Sequence, residues 1–421
     1  MSTRYSVLTF ETNELWDDAS QHSTSLGCFN CPDYAICGGL HVGANVYSCK
    51  DVCRCGQSAK CDVVCRCRPD HFVARIVEVG GFTLDNIPRV PCLETKSIPT
   101  AVPVIDHKYS RRGCFEAPIV ALPLYRIVDM AKGRLHISSR SELLDRFKVA
   151  KDARVILSGV DRDRYVEAWW NFPNRSELLA GLKSLGIELI TSPNFSLLSD
   201  VPRTDNFHAM KRIARAWSEI VAAGIPAALH TNARTDHDYD RWAKFIQDRS
   251  EVTALSFEFA TGCGRPDRID WHVKKLCELA SKAARPLRLI IRGGSHRLNM
   301  LRASFDSVTL LETESFSKTL RRRRARLTPE GRLRWERQAT LKDAPLDDLF
   351  AHNVETVRAA LEHPGRTRSA SRPFIVRPVR RRAANGDGKS IQPGLLDHTL
   401  SSDEGRAVTF NRDCVVAAAK S

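Results

Sequence analysis

Residues 187–231 carry the pattern that decides the fold: Ile187-Glu188-Leu189-Ile190-Thr191, a helical stretch from Asn206 to Ala223, then Ile225-Pro226-Ala227-Ala228-Leu229-His230-Thr231. The first and last pieces are short, apolar and bounded by polar residues or glycine, so they read as strands. In the middle piece Phe207, Met210, Ile213, Ala214, Trp217, Ile220 and Val221 fall on one stripe at helical spacing. Asp205 is placed to cap its start and Gly224 to end it. Strand, helix and strand in so short a span make a crossover unit with parallel strands.

The same rhythm continues in both directions. Upstream, Pro118 to Leu124 and Arg154 to Val160 read as strands, with helices at 141–147 and 176–182. Downstream, Val252 to Phe259, Leu287 to Arg292 and Val308 to Thr313 read as strands, separated by helices at about 238–249, 269–284 and 295–304. That gives seven strands. His71 to Val79, β-branched and closed by Gly80-Gly81, reads as an eighth. Between it and the next strand, Pro88, Pro91, Pro99 and Pro103 predict a long extended connection over 84–113. Eight strands favour an α/β fold of the TIM-like (β/α)8 barrel type, irregular or incompletely closed forms included. An open doubly wound sheet lacks support, because Gly293-Gly294 ends a strand without the remaining dinucleotide-binding spacing.

In a parallel barrel, chemistry sits at the carboxyl ends of the strands. Polar residues gather there: Asp161 and Asp163, Asn194, then His230, Asn232 and Arg234, then Glu258, Arg292, Glu312 and Glu314. His230, Asn232 and Arg234 are spaced by two, so an extended chain puts them on one face, and Ser256 and Glu258 share a face in the same way. The expected catalytic group is His230, Asn232 and Glu258, with Arg234, Arg292 and Asn194 binding substrate or an anion. The competing reading makes these residues helix caps and rim ion pairs. Cys263, with His230 as its only visible base, is a weaker candidate nucleophile.

A second feature lies upstream of the barrel. Cys28, Cys31, Cys37, Cys49, Cys53, Cys55, Cys61, Cys65 and Cys67 crowd a segment with little apolar surface. It cannot offset the entropy of ordering its backbone without a cross-link or a metal. Cys49-Lys50-Asp51-Val52-Cys53-Arg54-Cys55 repeats as Cys61-Asp62-Val63-Val64-Cys65-Arg66-Cys67. Disulfides need an oxidising compartment, nine is an odd number, and the acidic start of the chain has no export-signal pattern. Structural zinc and iron–sulfur clusters remain. The expectation is one or two 4Fe–4S clusters, with zinc as the alternative.

The net charge of +15 is localised. Residues 319–342 hold nine Lys/Arg against two Glu, and residues 365–389 hold eight against one Asp. Such patches point to DNA or RNA as partner, with Arg321, Arg322, Arg323, Arg324, Arg380, Arg381 and Arg382 as phosphate contacts. No stretch approaches a membrane span, so a cytoplasmic protein is expected, and nothing indicates a protein partner. The divisions expected are a polar lead-in 1–27, a metal segment 28–70, a barrel 71–318, a basic helical extension 319–362 and a disordered Arg-rich tail 363–421.

Two local resemblances add to this. Cys28-x2-Cys31-x5-Cys37-Gly38-Gly39 is similar to the cysteine pattern of SPASM-type auxiliary-cluster domains in radical enzymes, which implies iron–sulfur ligation. The radical-SAM motif itself is absent: both repeat copies read Cys-x3-Cys-x-Cys. Pro193-Asn194-Phe195-Ser196-Leu197, with Asp200-Val201-Pro202 and Gly224-Ile225-Pro226 behind it, resembles a bacterial and phage family known only as a domain of unknown function. Asn194 stands where that family usually has Asp. The resemblance implies an α/β domain in mobile-element settings and no particular reaction. Together these readings point to a metal-containing, nucleic-acid-associated protein in a mobile-element or phage setting, with enzymatic action on DNA or RNA left open. The alternatives are a zinc-stabilised binding module and a small-molecule barrel enzyme.

Overall fold

The computed structural model describes residue 75 and residues 77–106, 111–197, 203–266, 268–341 and 343–362. The cysteine segment and the Arg-rich tail, and with them all nine expected ligands and Arg380, Arg381 and Arg382, lie outside the described residues.

Eight parallel strands make one sheet. They are β1 Ala101–Pro103, β2 Ile119–Pro123, β3 Arg154–Ser158, β4 Leu189–Thr191, β5 Ala227–His230, β6 Ala254–Glu258, β7 Arg288–Arg292 and β8 Ser307–Glu312. They neighbour one another in sequence order from β2 to β8, and β8 then pairs with β1. The two edges meet through a single bridge between Val104 and Ala121, and the Ile105 N–H donates to the Ala121 carbonyl at 2.9 Å. The sheet is therefore nearly closed and barrel-like.

Helices fill the crossovers: α1 Arg140–Phe147, α2 Asp163–Trp170, α3 Arg175–Ser184, α4 Arg203–Ala222, α5 Asp236–Gln247, α6 Ile269–Ala283 and α7 Leu298–Arg302, while α8 Glu314–Leu320 follows β8. A further helix, α9, spans Asp347–Glu362 and is the last among the described residues. Local chemistry sets several ends. Ser139 accepts the Glu142 N–H at the start of α1, and Thr235 and Asp238 cap α5 reciprocally. After α4 the chain turns at Gly224, whose φ of +81° suits a residue without a side chain.

Strand alternation sorts the apolar residues into two groups. Val120, Val155, Leu157, Leu229, Leu255, Phe257, Leu289 and Ile291 face the helices. Val102, Ile119, Ala121, Ile156, Leu189, Ala228, Ala254, Ile290 and Leu311 form a separate cluster that fills the barrel interior.

Two expectations need correction. Residues 75 and 77–79 are helical, not a strand. Val79 is buried, Glu78 reaches His208 and Trp170, and Arg75 pairs with Asp205, so packing against α2 and α4 overrides the β-branched composition. Asp205 accordingly serves that pair within the first turn of α4. The eighth strand is instead β1, inside the proline-rich connection. It is held by backbone bonds from Leu310 to Thr100 and from Val104 to Glu312, at 2.7 and 2.8 Å.

The basic stretch after α8 is also not helical. Arg323–Leu327 (β9) and Leu333–Arg337 (β10) form an antiparallel ribbon. Arg322, at φ +51°, breaks the chain away from α8, and Thr328 to Arg332 form the turn, with Gly331 at φ +75°. The ribbon packs on α9, the part of the expected helical extension 319–362 that is helical.

Candidate active site

One turn of side chains above the apolar interior cluster, the same faces of the strands become polar. Two residues beyond Ile156, Leu189 and Ala228 stand Ser158, Thr191 and His230. Two and four beyond Ala254 stand Ser256 and Glu258, and two beyond Ile290 stands Arg292. Because strand side chains alternate, all of these share the interior face at the carboxyl end. Ser158, Thr191, His230, Ser256 and Glu258 are buried; the Arg292 side chain is 31% exposed.

Five of them carry a buried polar atom with no hydrogen-bond partner: Ser158 Oγ, His230 Nδ1, Ser256 Oγ, Glu258 Oε2 and Arg292 Nε. Buried polar groups in folded proteins are nearly always paired. These five atoms on one barrel face are donors and acceptors that no hydrogen bond within the protein uses, and two of them, Glu258 Oε2 and Arg292 Nε, face each other as an ion pair.

The geometry around them is fixed. The Ala260 N–H donates to Glu258 Oε1 at 2.6 Å. Arg292 Nε stands 3.6 Å from Glu258 Oε2, close enough for attraction and too far for a hydrogen bond. An Arg292 terminal nitrogen donates to the Val160 carbonyl at 3.2 Å. The His230 backbone N–H donates to Ser192 Oγ at 2.9 Å. Burial pushes the Glu258 carboxyl above its ordinary range, against the opposing pull of Arg292 and the Ala260 amide. Burial, aided by the Arg234 charge, holds His230 down to about 3, so its imidazole is neutral at physiological pH.

Glycines let the strand ends approach. A Cβ on Gly159 would lie 2.3 Å from the Thr191 carbonyl oxygen. That close passage lets the Gly159 carbonyl accept from the Asn194 N–H and the Tyr125 hydroxyl, at 3.1 and 3.2 Å. Gly293, at φ +76°, sits where a Cβ would be 2.6 Å from the Ala260 nitrogen, so the turn after β7 presses on the turn that holds Glu258.

The other expected residues divide. Asn232 Nδ2 donates to Asn194 Oδ1 and to the Phe195 carbonyl, at 3.0 and 3.1 Å. Arg234 donates to Asn232 Oδ1 at 3.0 Å and to Cys263 Sγ at 2.9 Å. These four side chains tie the loops after β4, β5 and β6 together and already use one another. Burial raises the Cys263 thiol in spite of Arg234, which disfavours a thiolate nucleophile. Asp163 accepts from Ser196 Oγ at 2.7 Å, and Asp161 from the Arg162 N–H. Glu312 follows the interior residue Leu311 and therefore points outward, where it accepts the Ser315 N–H at 2.8 Å at the start of α8. Arg321 and Arg322 lie between α8 and the ribbon, and Arg323 and Arg324 open the ribbon itself.

Ser158 is the site residue that the sequence reading misses. It closes an apolar strand before Gly159, and only the interior register marks it. Among the described residues, no group of three or more His, Cys, Asp or Glu is placed to hold a metal ion. Cys92 and Cys114, isolated in the sequence, are free and exposed. No helix among the described residues is long and apolar enough to cross a membrane. No family model matches this chain, and no curated protein matches it either.

Proposed function

We propose that the protein is an enzyme whose barrel mouth binds a small polar group and transfers a proton to or from it. The supporting observation is the set of five buried atoms without a hydrogen bond on Ser158, His230, Ser256, Glu258 and Arg292. Glu258 is the proton carrier. Its Oε2 makes no hydrogen bond, and burial favours the protonated form, while Arg292 stabilises the carboxylate left after the proton departs. His230 stays neutral and offers Nδ1 as a hydrogen-bonding atom, not as the main base. The serine hydroxyls orient the bound group, and the Asn194–Asn232–Arg234 network holds the loops above it.

In the fuller reading, the polar group belongs to a nucleic acid, in a TIM-like barrel enzyme that carries iron–sulfur clusters on its cysteine segment. The two Arg-rich stretches support the first part and the cysteine spacing supports the second. When bound, a cluster would supply electron transfer or anchoring to the 28–70 segment, and no step above depends on it.

Ligand-observed NMR with a panel of nucleobases, nucleosides, sugar phosphates and small carboxylates tests the mouth. At least one class is expected to bind wild-type protein, and to lose binding in Glu258→Gln and Arg292→Gln variants that stay folded. Binding that both variants retain, or none across the panel, removes the proposal.

A further inference from the structure

The basic stretch that the sequence presents as a helix is a rigid arginine ribbon, and its two faces differ. In the register, Arg324 opposes Glu336, Ala325 opposes Trp335 and Arg326 opposes Arg334. Ala325 is buried, and Leu327, Leu333 and Trp335 are half-buried on the same face. The opposite face presents Arg324, Arg326, Arg334 and Glu336, all exposed.

The ribbon is fastened from below by Asn353 of α9, whose side chain is fully buried. Its Oδ1 accepts the Ala325 N–H at 2.7 Å, and its Nδ2 donates to the Arg323 carbonyl and to Thr319 Oγ1, each at 2.8 Å. His352 Nε2 donates to the Ala325 carbonyl at 2.9 Å, so Nδ1 accepts from Arg324 at 3.3 Å.

Arg326 directly opposite Arg334 is a like-charge cross-strand pair, which costs a ribbon stability. Arg323 opposite Arg337 is a second such pair, on the face of Ala325 and Trp335. Glu336, the one acidic group among the ribbon's own residues on this face, pairs with Arg326 at 3.1 Å with both side chains more than half exposed, and Glu355 of α9 lines the same groove as both. A device that a stable fold does not need, held on a platform that the fold makes rigid, is the signature of a binding surface.

We propose that the exposed face of this ribbon binds the phosphate backbone of duplex nucleic acid without reading sequence. Guanidinium groups match phosphates in charge and geometry. A two-stranded ribbon is narrow enough to enter the major groove of B-form DNA. Single-strand binders stack bases on exposed aromatic rings. This face has none, since Trp335 lies on the other face with Lys318 above its ring at 5.7 Å. The proposal deepens the nucleic-acid part of the reading above and stands apart from the mouth.

Fluorescence anisotropy with the full-length protein tests it, using labelled duplex DNA, duplex RNA and a single strand over a salt series. The variants are Arg324→Gln/Arg326→Gln/Arg334→Gln, Glu336→Gln, and Arg380→Gln/Arg381→Gln/Arg382→Gln in the tail. Wild-type protein is expected to prefer duplex. The ribbon triple variant is expected to bind on the order of tenfold more weakly, with the slope of log affinity against log salt shallower by about 2 to 3. Glu336→Gln is expected to bind more tightly, a gain that no loss of folding can produce. Absence of duplex binding by wild-type protein overturns the proposal. So does an unchanged slope in the ribbon variant, with the loss confined to the tail variant. The mouth panel repeated on the ribbon variant keeps the two readings separate: small-molecule binding there is expected to be unaltered.

Discussion

At His230, burial and the Arg234 charge combine into a pH signature. Its pKa lies at about 3 in the folded protein against an ordinary 6.5, so the unfolded chain takes up a proton first as pH falls. Its contribution is therefore intact above 6.5 and is lost progressively between 6.5 and about 3. Urea unfolding followed across that window should show wild-type protein losing stability faster than His230→Gln, by on the order of several kcal/mol at the acid end. Parallel curves would mean that the imidazole is not buried. Glu258 has the opposite sign. Its carboxyl is raised above the ordinary 4.5, so its contribution is complete below that value and lost as pH climbs through the folded pKa. Glu258→Gln should gain on wild-type protein over the same climb. Gly159 shows how little room these residues leave: Gly159→Ala puts a methyl 2.3 Å from a carbonyl oxygen, and should cost roughly 2 kcal/mol or more and displace Ser158. Much of this site is legible in the sequence, because His230, Asn232 and Arg234, and Ser256 and Glu258, are two apart on strands. The sequence does not show which of the two faces is interior at each strand end. Hence Ser158 escapes notice, and Glu312 looks like a mouth residue although Leu311 beside it takes the inward position.

Among the elements, the strands of apolar composition are found where the pattern puts them, from β2 to β8. The element that the pattern misses is β1, only three residues long and ending in proline. Its pairing depends on backbone groups of β8, which no local composition announces. The Arg-rich stretch misleads for the converse reason. Arginine is a good helix former, yet Ala325 and Leu327 on one side of Pro329, with Leu333 and Trp335 on the other, alternate at period two and share one face. Asn353 then supplies the partners that a lone ribbon lacks. Asn353→Ala leaves the Ala325 N–H, the Arg323 carbonyl and the Thr319 hydroxyl without their buried partner, and should cost about 2 to 4 kcal/mol. Amide exchange at Ala325 should rise more than exchange in β5 or β6. A uniform change across all strands would show that the ribbon is not a separable element.

Across the whole molecule, an apolar barrel interior rises into a polar mouth, and a basic ribbon is fastened beside α9. The cysteine expectation is testable on its own: protein purified without oxygen should be brown and contain iron, whereas colourless protein with zinc would favour the structural-metal alternative. The barrel account rests on the idea that the mouth keeps polar groups for a guest and not for its own cohesion. The unfolding free energy of Ser158→Ala/Ser256→Ala decides this most directly. Neither hydroxyl has a partner within the protein, so the variant should be at least as stable as wild type, and more stable by up to about 1 to 2 kcal/mol. A loss of about 1 kcal/mol per site would mean that these hydroxyls are knit into the fold, and would contradict the assignment of the mouth as a binding site.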